Sequence, residues 1–502
     1  MTTIAYDTEL NSAAAEVPIS IGQAKRVLEW WSSSEQFRQI VQTDPERARR
    51  EFPIDVDPEL IRPLWDAFCA IATAKANLPT HPVVPEYRQW VGSKSEWRGE
   101  IKEECSPSEP RFKAWRARQI SRNALENGGY DDYIIHTPLA IELTDGCSVG
   151  CWFCGVGATK VGESWRYSGD NPALWRGVLS VLSARIGSAA KWGFCYWATD
   201  PLDNPDYEQF ATDFSDIVGM FPQTTTAQGY KDPERVRRLL ALSEARGCRV
   251  NRFSILTEPL LRKVHETYTA DELVNVEIVS QMRGSTTPKS DAGAFRNLVK
   301  DKPQLADFER KKLETVVETQ KKIAAANDRE LDVKVPIQPG TIACVSGFLL
   351  NMVKRTVKLI SPCRANDRWP LGYIVFEEAT FTDAADLDSI LEQMMANHMP
   401  LTIDENDPVR LHPGLSYQKV DDGFHLVTPL NALAFLRREL VGYLQSIGEQ
   451  ALEGKKTAAE IAMRAHFEYG VPEINTVGTL ALMFDKGVLV DARGRIGGVA
   501  AQ

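Results

Sequence analysis

The chain is 502 residues long, with 43% hydrophobic and 25% charged residues, and its formal net charge is -10. This length and composition are ordinary for a soluble globular protein of roughly two to four domains with a sizeable core. The acidic excess gives no electrostatic reason to expect nucleic-acid binding. A net negative charge is nevertheless compatible with a local basic groove that binds an acidic peptide.

The sequence indicates neither a targeting signal nor a disulfide framework. Residues 1–17 lack the basic stretch and apolar core that mark a secretory signal, and no apolar run is long enough to span a bilayer. Outside one cluster the cysteines are scattered singly, so they predict neither disulfides nor a second cluster for an auxiliary metal centre. We therefore expect a cytoplasmic protein without a membrane partner.

Helical patterns dominate the N-terminal part of the chain, from about residue 21 to residue 127. Two helix starts are especially clear, because Asp44 and Asp57 each precede a proline at the first helical position, followed by an acidic residue. We interpret residues 1–130 as an N-terminal helical region, which is either a distinct module or a generic helical extension.

A different pattern begins at residue 131, where short strands alternate with helices. The first predicted strand, residues 139–143, leads directly into the cysteine cluster. The alternation predicts an α/β fold with a parallel sheet, and six strands fit an open, partial (β/α)6 barrel within residues 131–400. The other predicted strands are residues 192–197, 224–227, 249–256, 275–280 and 333–337. Ligand sites in such folds lie at the carboxyl ends of the strands.

Residues 401–502 change character again. Two strand patterns flank Asp421-Asp422-Gly423, which predicts a β-hairpin of residues 415–420 and 424–428. Three helices follow, the second of which begins with a capping box formed by Thr457 and Glu460. The helices are predicted at about 430–447, from 457 and at 473–484, and a closing strand at 488–490. Together these elements suggest a winged-helix-like domain.

Cys147, Cys151 and Cys154 form a CxxxCxxC triplet, with three thiols within eight residues. This spacing suggests one metal centre, and three protein ligands leave one coordination position open for a reactant. A structural zinc site needs a fourth ligand that no second cysteine pair supplies, and a redox dithiol leaves Cys147 without a role. A [4Fe–4S] cluster with one iron lacking a protein ligand fits the triplet better.

With Phe153 directly before the third cysteine, the motif resembles CxxxCxφC, the signature of the radical S-adenosylmethionine (SAM) superfamily, where φ is aromatic. The resemblance implies one [4Fe–4S] cluster held by Cys147, Cys151 and Cys154, with SAM chelated at the open iron. It also implies that an electron from the cluster cleaves SAM to methionine and a 5′-deoxyadenosyl radical, which abstracts hydrogen from a substrate. The cofactors then carry the reaction, and the protein supplies orientation and shielding.

Further SAM contacts are implied by the same resemblance. The second strand of these proteins usually ends in Gly-Gly-Glu-Pro, and this chain has Ala198-Thr199-Asp200-Pro201 in its place. We expect Asp200 to accept the SAM ammonium with help from Thr199, although an Asx turn that caps the next helix explains the same residues. Ser254, in the fourth predicted strand, resembles the polar residue that contacts the SAM carboxylate or ribose, or it is an ordinary strand serine.

The resemblance narrows to the radical SAM peptide epimerases of ribosomal-peptide (RiPP) maturation, of the polytheonamide or proteusin type. It is carried by residues 147–156, 199–205 and 361–373. The family implies conversion of L- to D-residues: the radical removes a Cα hydrogen, and a cysteine thiol returns hydrogen from the opposite face. Cys363, which follows a proline, is the candidate donor and Cys344 the second candidate. A buried structural role is the alternative for either thiol.

The implied partners are a precursor peptide with a leader sequence and a reductant such as flavodoxin or ferredoxin, with no nucleic acid. The winged-helix-like domain resembles the domains that grip such leaders. Two alternatives stay open. One is a different radical SAM modification of a peptide, namely cross-linking, C-methylation or decarboxylation, although cross-linking enzymes often carry extra clusters. The other is a zinc-stabilised binding protein without catalysis.

Overall fold

The structure is a computed structural model that describes residues 18–326 and 338–490. The helices are α1 Ile21–Ser33, α2 Glu35–Thr43, α3 Pro45–Glu51, α4 Arg62–Trp65, α5 Ala67–Lys75, α6 Val83–Glu104, α7 Pro110–Asn127, α8 Asn171–Ile186, α9 Tyr207–Val218, α10 Pro233–Ala245, α11 Glu258–Thr267, α12 Gly293–Asp301, α13 Gln304–Ala326, α14 Ala384–His398, α15 Val441–Glu453, α16 Ala458–Tyr469 and α17 Glu473–Asp485. The strands are β1 Thr137–Glu142, β2 Thr225–Thr226, β3 Asn251–Ile255, β4 Val276–Ser280, β5 Val345–Asn351, β6 Thr356–Pro362, β7 Tyr373–Thr380, β8 Ser416–Val420, β9 Gly423–Val427 and β10 Ala432–Leu436. This mixture confirms the predicted α/β class, and none of the described helices is long and apolar enough to cross a membrane.

The chain groups into two compact units, each assembled from separated segments. The first unit contains Met1–Gly99, Gln223–Lys289 and Lys302–Gln338. The second contains Glu100–Pro222, Ser290–Asp301 and Pro339–Gln502. The division into three consecutive domains at residues 130 and 400 stays a prediction.

The first unit contains a parallel sheet in the order β2-β3-β4. It confirms three of the predicted strands, which α10 and α11 connect as parallel pairing requires. The unit also contains the first predicted helix starts. The Asp44 carboxylate accepts the Arg47 N–H at 2.9 Å and caps α3. At Asp57 the same motif caps a short 3-10 turn, Pro58–Ile61, instead of an α-helix.

The second unit contains a four-stranded sheet in the order β1-β5-β6-β7. β1 and β5 are parallel, with Glu142 opposite Asn351, whereas β6 is antiparallel to both of its neighbours, β5 and β7. Helix α7 packs on this sheet, where Phe112 meets Phe348 edge to face at 5.3 Å between ring centroids. The cysteine loop leaves this sheet at the carboxyl end of β1.

The structure corrects the prediction of six successive strands. Residues 192–197 do not form a strand: a 3-10 turn covers Gly187–Trp192, and Phe194 makes an isolated parallel bridge to Ala140. The Gly193 N–H donates back to the Ala190 carbonyl at 2.9 Å, which closes this turn in place of an extended segment. The described partner of β1 in the sheet is β5, which the prediction lacked, and the predicted strand at 333–337 lies outside the described residues.

The C-terminal part of the second unit packs helices α15, α16 and α17 with an antiparallel sheet in the order β10-β9-β8 around a hydrophobic core. The predicted hairpin is confirmed as β8 and β9. Gly423 has φ of +152°, and a Cβ there would lie 2.0 Å from the Phe435 carbonyl oxygen, so only glycine fits the turn. The capping box of Thr457 and Glu460 is confirmed at the start of α16.

The predicted helix at 430–447 is wrong in its first half. Residues 432–436 form β10, a 3-10 turn Arg438–Leu440 follows, and the helix begins only with α15. Alanine and leucine favour helices, but pairing with β9 and the stacking of Phe435 on Phe424 at 4.9 Å place this segment in the sheet. The closing strand at 488–490 is reduced to one bridge between Leu411 and Leu489.

Candidate functional site

The three cysteines lie on a loop that is fixed at its base directly after β1. The Cys147 N–H donates to the Thr159 carbonyl at 2.9 Å. Gly146 has φ of +73° and packs against the returning end of the loop, where a Cβ would lie 2.3 Å from the Lys160 carbonyl oxygen. This close packing determines where the chain presents the first thiol.

All three thiols of the triplet are half-buried. The Cys154 N–H donates to the Cys151 carbonyl at 3.1 Å, which closes a tight turn between them. Burial, and next the neighbouring Cys154 and Cys147 thiols, raise the pKa of Cys151 to about 12, and burial also raises the pKa of Cys147. Because the thiols oppose one another's ionisation, a cationic centre is what would stabilise them jointly as thiolates.

Within residues 18–326 and 338–490, no three His, Cys, Asp or Glu side chains converge closely enough to hold a single metal ion. The donor set fits an iron–sulfur cluster, whose ligands are thiolates tuned by hydrogen bonds to sulfur. The Ala158 N–H donates to Cys154 Sγ at 3.3 Å, and the Val149 N–H donates to the Cys147 sulfur. Cys147, Cys151 and Cys154 would therefore hold such a cluster.

Aromatic and small residues surround the third cysteine. Phe153, the aromatic residue of the motif, is half-buried and lies edge to face with Trp152, with 5.2 Å between ring centroids. The Ala294 N–H donates to the Cys154 carbonyl at 2.9 Å. Gly293 has φ of +57°, and a Cβ on it would lie 2.4 Å from that same carbonyl oxygen. The start of α12 therefore packs directly against the cysteine loop.

The turn with Thr199 and Asp200 is hydrogen-bonded to the cysteine loop. The Asp203 carboxylate accepts the Ser148 N–H at 2.9 Å and also accepts the Ser148 hydroxyl. Because Ser148 follows Cys147 in the chain, these bonds bring the two predicted parts of the site together.

Asp200 is buried, and its carboxylate accepts the Leu202 N–H at 3.0 Å, which caps the 3-10 turn Pro201–Asp203. The cap predicted as the alternative explanation of Asp200 is thus present. After burial, the Asp200 charge is the first electrostatic influence that raises the pKa of Cys147, and the Asp200 N–H donates to the Cys147 sulfur. Asp200 therefore lies beside the first thiol, and its contact with SAM stays a prediction.

Glu142, the last residue of β1, is a candidate that sequence reasoning missed. Its carboxylate accepts the Ala198 N–H at 2.9 Å and the Asn351 side-chain N–H at 3.0 Å. Burial raises the pKa of Glu142, and these two hydrogen bonds oppose the rise. The available signal was an acidic residue inside an apolar strand pattern, because a carboxylate is rarely buried there without dedicated partners.

Ser254 lies on β3 in the first unit, opposite Val279 of β4, and is half-buried. Thr199 and Asp200 belong to the second unit. The predicted contact between Ser254 and SAM therefore stays a prediction.

The two candidate donor thiols differ in exposure. Cys363, directly after β6, is 0% exposed, and burial followed by the Glu126 charge raises its pKa well above the ordinary value. It stays protonated, as a hydrogen-atom donor must, but a substrate reaches it only if the segments that cover it move. Cys344 is half-buried and packs against the same apolar cluster as Trp197 and Tyr373. Since Trp197 leads directly into the predicted SAM-binding turn, Cys344 is the better placed thiol on access alone.

Two side chains of helix α7 form hydrogen bonds with the peptide groups on either side of Cys363. Arg122 donates at 2.7 Å to the carbonyl of the preceding residue, and the Glu126 carboxylate accepts the N–H of the following residue at 2.9 Å. Arg122 Nη1 also lies 3.1 Å from His412 Nε2. Burial raises the pKa of Glu126 and lowers that of His412 well below the ordinary value. No local sequence pattern indicated this buried polar cluster.

The fold and site define an α/β protein with a three-thiol loop at the end of a strand. No family model matches the chain. It is 33% identical over 485 residues to the uncharacterised protein y4wI of Sinorhizobium fredii (strain NBRC 101917 / NGR234), with 95% of this chain and 89% of that protein covered. The chain therefore belongs to the same family as y4wI. Among solved structures it is similar to BtrN in complex with AdoMet and 2-DOIA, with 17% identity, a TM-score of 0.23, and coverage of 28% of this chain and 55% of that chain.

Proposed function

We propose that the chain is a radical SAM peptide epimerase that converts L- to D-residues in a ribosomally made precursor peptide. The observation that carries the proposal is the cysteine loop after β1, joined through Ser148 to Asp203 of the adjacent acidic turn. Three thiols beside an acidic turn match the needs of a cluster with chelated SAM. A partial (β/α)6 barrel and a winged-helix-like domain are part of the same proposal.

A bound [4Fe–4S] cluster and SAM together supply a 5′-deoxyadenosyl radical. Cys147, Cys151 and Cys154 hold the cluster, with the Ala158 N–H supporting Cys154. Phe153, the aromatic residue of the motif beside the third cysteine, would contact the bound SAM.

Asp200 accepts the SAM ammonium, because a buried carboxylate prefers a cationic donor to a neutral one. Thr199 is buried next to it and offers a hydroxyl group. Ser254 is the predicted contact to the SAM carboxylate or ribose.

Inversion at Cα needs a hydrogen donor across from the abstracting radical, and a thiol is the best hydrogen-atom donor among the side chains. Cys363 is the predicted donor, supported by the high pKa that keeps its thiol protonated. Cys344 is the second candidate, supported by its partial exposure. Substitution of each cysteine decides between them.

The C-terminal part is proposed to bind the leader of the precursor peptide. Support comes from large apolar side chains at its surface: Phe467 is 79% exposed and Ile474 is 75% exposed. Phe467→Glu and Ile474→Glu should each weaken binding of the precursor peptide. Phe308→Glu, at a 43% exposed position of α13 in the first unit, is the control. Unchanged binding in both test variants would refute this role.

Anaerobic reconstitution tests the cluster. The protein should become brown and bind about four irons per chain. Alanine at any of Cys147, Cys151 or Cys154 should abolish this, whereas Cys69→Ala, a half-buried lone thiol on α5, should not. A colourless protein that binds zinc and no iron would favour the zinc-stabilised binding protein.

One mass measurement on the precursor separates epimerisation from other peptide modifications. Epimerisation leaves the peptide mass unchanged in H₂O and adds about one mass unit per site in D₂O, because the thiol hydrogen exchanges with solvent. A mass change in H₂O would favour cross-linking, C-methylation or decarboxylation. The assay needs the electron donor, for which reduced flavodoxin or ferredoxin serves.

A further inference from the structure

We infer that Glu142 is a positioning residue for SAM, because its carboxylate holds the turn of Thr199 and Asp200 at the end of β1. The inference rests on the proposed function, which assigns SAM to this turn. Glu142 is only 9% exposed, and it ends the strand from which the cysteine loop departs. A single residue thus links the segment that presents the thiols to the segment that would bind SAM.

Each carboxylate oxygen of Glu142 has its own donor. Oε1 accepts the Ala198 N–H at 2.9 Å, directly before Thr199 in the chain. Oε2 accepts the Nδ2–H of Asn351, the last residue of β5, at 3.0 Å. The Glu142 main-chain carbonyl accepts the N–H of Met352, the residue directly after β5, at 3.0 Å. The end of β5 is therefore bound by both the backbone and the side chain of Glu142. The turn is thereby tied to two strands of the sheet.

Both groups that face the Glu142 carboxylate must be donors. Ala198 offers a backbone N–H, and the side chain of Asn351 cannot rotate its amide, because Asn351 Oδ1 already accepts the Lys354 N–H at 2.9 Å. Residue 142 must therefore accept on both terminal atoms, which a carboxylate does and an amide cannot. The Lys358 charge also favours the ionised form, while the Asp145 charge opposes it.

This pattern allows a test by exchange of the two side-chain types. In Glu142→Gln, the new amide NH₂ faces a donor, either the Ala198 N–H or the Asn351 NH₂, and one hydrogen bond is lost. In Asn351→Asp, two carboxylates face each other. In the double variant, the new glutamine oxygen accepts the Ala198 N–H, and its NH₂ donates to the new aspartate. The other oxygen of that aspartate accepts the Lys354 N–H, so every hydrogen bond is restored.

The experiment measures the SAM dissociation constant of the reconstituted protein by calorimetry, together with iron content and melting temperature. Glu142→Gln should weaken SAM binding about tenfold with unchanged iron content, which corresponds to about 1.4 kcal/mol. Asn351→Asp should also weaken it, and the double variant should bind within about twofold of wild type, since one lost bond is about a tenfold effect.

Wild-type affinity in Glu142→Gln, or a double variant no better than the single ones, would overturn the inference. If a single variant fails to fold, the double variant decides: wild-type affinity supports the positioning role, and weakened affinity in a folded double variant refutes it. If the wild-type protein with a full cluster does not bind SAM, the proposed function itself fails. That outcome is distinct from a wild-type protein that binds SAM without needing Glu142.

Discussion

Asp203 accepts two hydrogen bonds from Ser148, one from its backbone N–H at 2.9 Å and one from its hydroxyl. Ser148 directly follows the first cysteine of the triplet, and Asp203 ends the short turn that Asp200 caps. The pair therefore couples the position of the Cys147 thiol to the position of the acidic turn. A change at either residue is expected to affect both.

Asp203→Ala removes both acceptors and should loosen the loop and the turn together. Ser148 is exposed, so water replaces part of what is lost, and we expect a cost of about 1 kcal/mol and a roughly fivefold weaker SAM affinity. Asp203→Asn should stay close to wild type, because its oxygen accepts the Ser148 N–H and the serine hydroxyl accepts its NH₂. Asp216→Ala, at an exposed position of α9, is the control. Equal SAM affinity in the two Asp203 variants would contradict the coupling.

Gly293→Ala should lower the iron content of the reconstituted protein. Its Cβ would lie 2.4 Å from the Cys154 and Gly155 carbonyl oxygens, so the cysteine loop must shift to admit it. Gly219→Ala is the matched control, because Gly219 also has a positive φ, +101°, but nothing lies within 4 Å of its added Cβ. Both variants carry backbone strain of about 1 kcal/mol. Iron loss of equal size in both would show that strain alone is responsible.

The donor thiol is identified by comparing Cys363→Ala with Cys344→Ala. Both variants should keep the cluster and cleave SAM, since neither residue belongs to the triplet that is proposed to hold the cluster. One of them should lose inversion and the uptake of deuterium from D₂O into the peptide. Loss in Cys363→Ala would confirm the sequence prediction and require that the segments that bury Cys363 move. Loss in Cys344→Ala would identify the more accessible thiol as the hydrogen donor. Full inversion by both variants would show that neither thiol donates hydrogen to the peptide.

His136 should make stability depend on pH below about 6.5. Burial is the largest cause of its lowered pKa, and a hydrogen bond to Asp131 at 3.0 Å opposes the shift. The unfolded chain binds the proton more readily, so stability is full above pH 6.5 and falls by about 1.4 kcal/mol per pH unit below it. The loss continues until the pH reaches the folded pKa of His136.

The measurement is the urea midpoint of wild type and His136→Asn between pH 7.5 and 5.5. Asparagine tolerates the φ of +54° at this position, so the variant keeps the backbone. It should be less stable at pH 7.5, because the hydrogen bonds of the imidazole to Asp131 and Ser346 are lost. The difference should shrink as the pH falls. A difference that grows would mean that His136 is charged in the folded protein.

Features that depend on nearby residues were predictable from the sequence. The cap at Asp44, the hairpin whose turn contains Asp421-Asp422-Gly423, and the capping box of Thr457 and Glu460 each arise within a few positions of the chain. The cysteine loop after β1 belongs to the same group, since its motif and its strand are contiguous.

Features that depend on distant residues were not predictable. β1 pairs with β5, where Glu142 lies opposite Asn351. The local sequence of neither strand predicts this pairing. β5 is buried along its whole length, so it lacks the alternation that marks a half-exposed strand. The roles of Glu142, and of Arg122 with His412, likewise exist only after long-range pairing has formed.

Each compact unit is built from several separate segments of the chain. The chain crosses from one unit to the other after residues 99, 222, 289, 301 and 338. During synthesis the helices before residue 99 are made first, and the other segments of their unit follow only after residues 100–222 have been translated. These helices therefore cannot complete their packing until the later segments of the same unit have been translated. Cutting the gene at residue 99 or 130 would divide a unit and separate residues that fold together, so active fragments are better sought by complementation of two co-expressed halves.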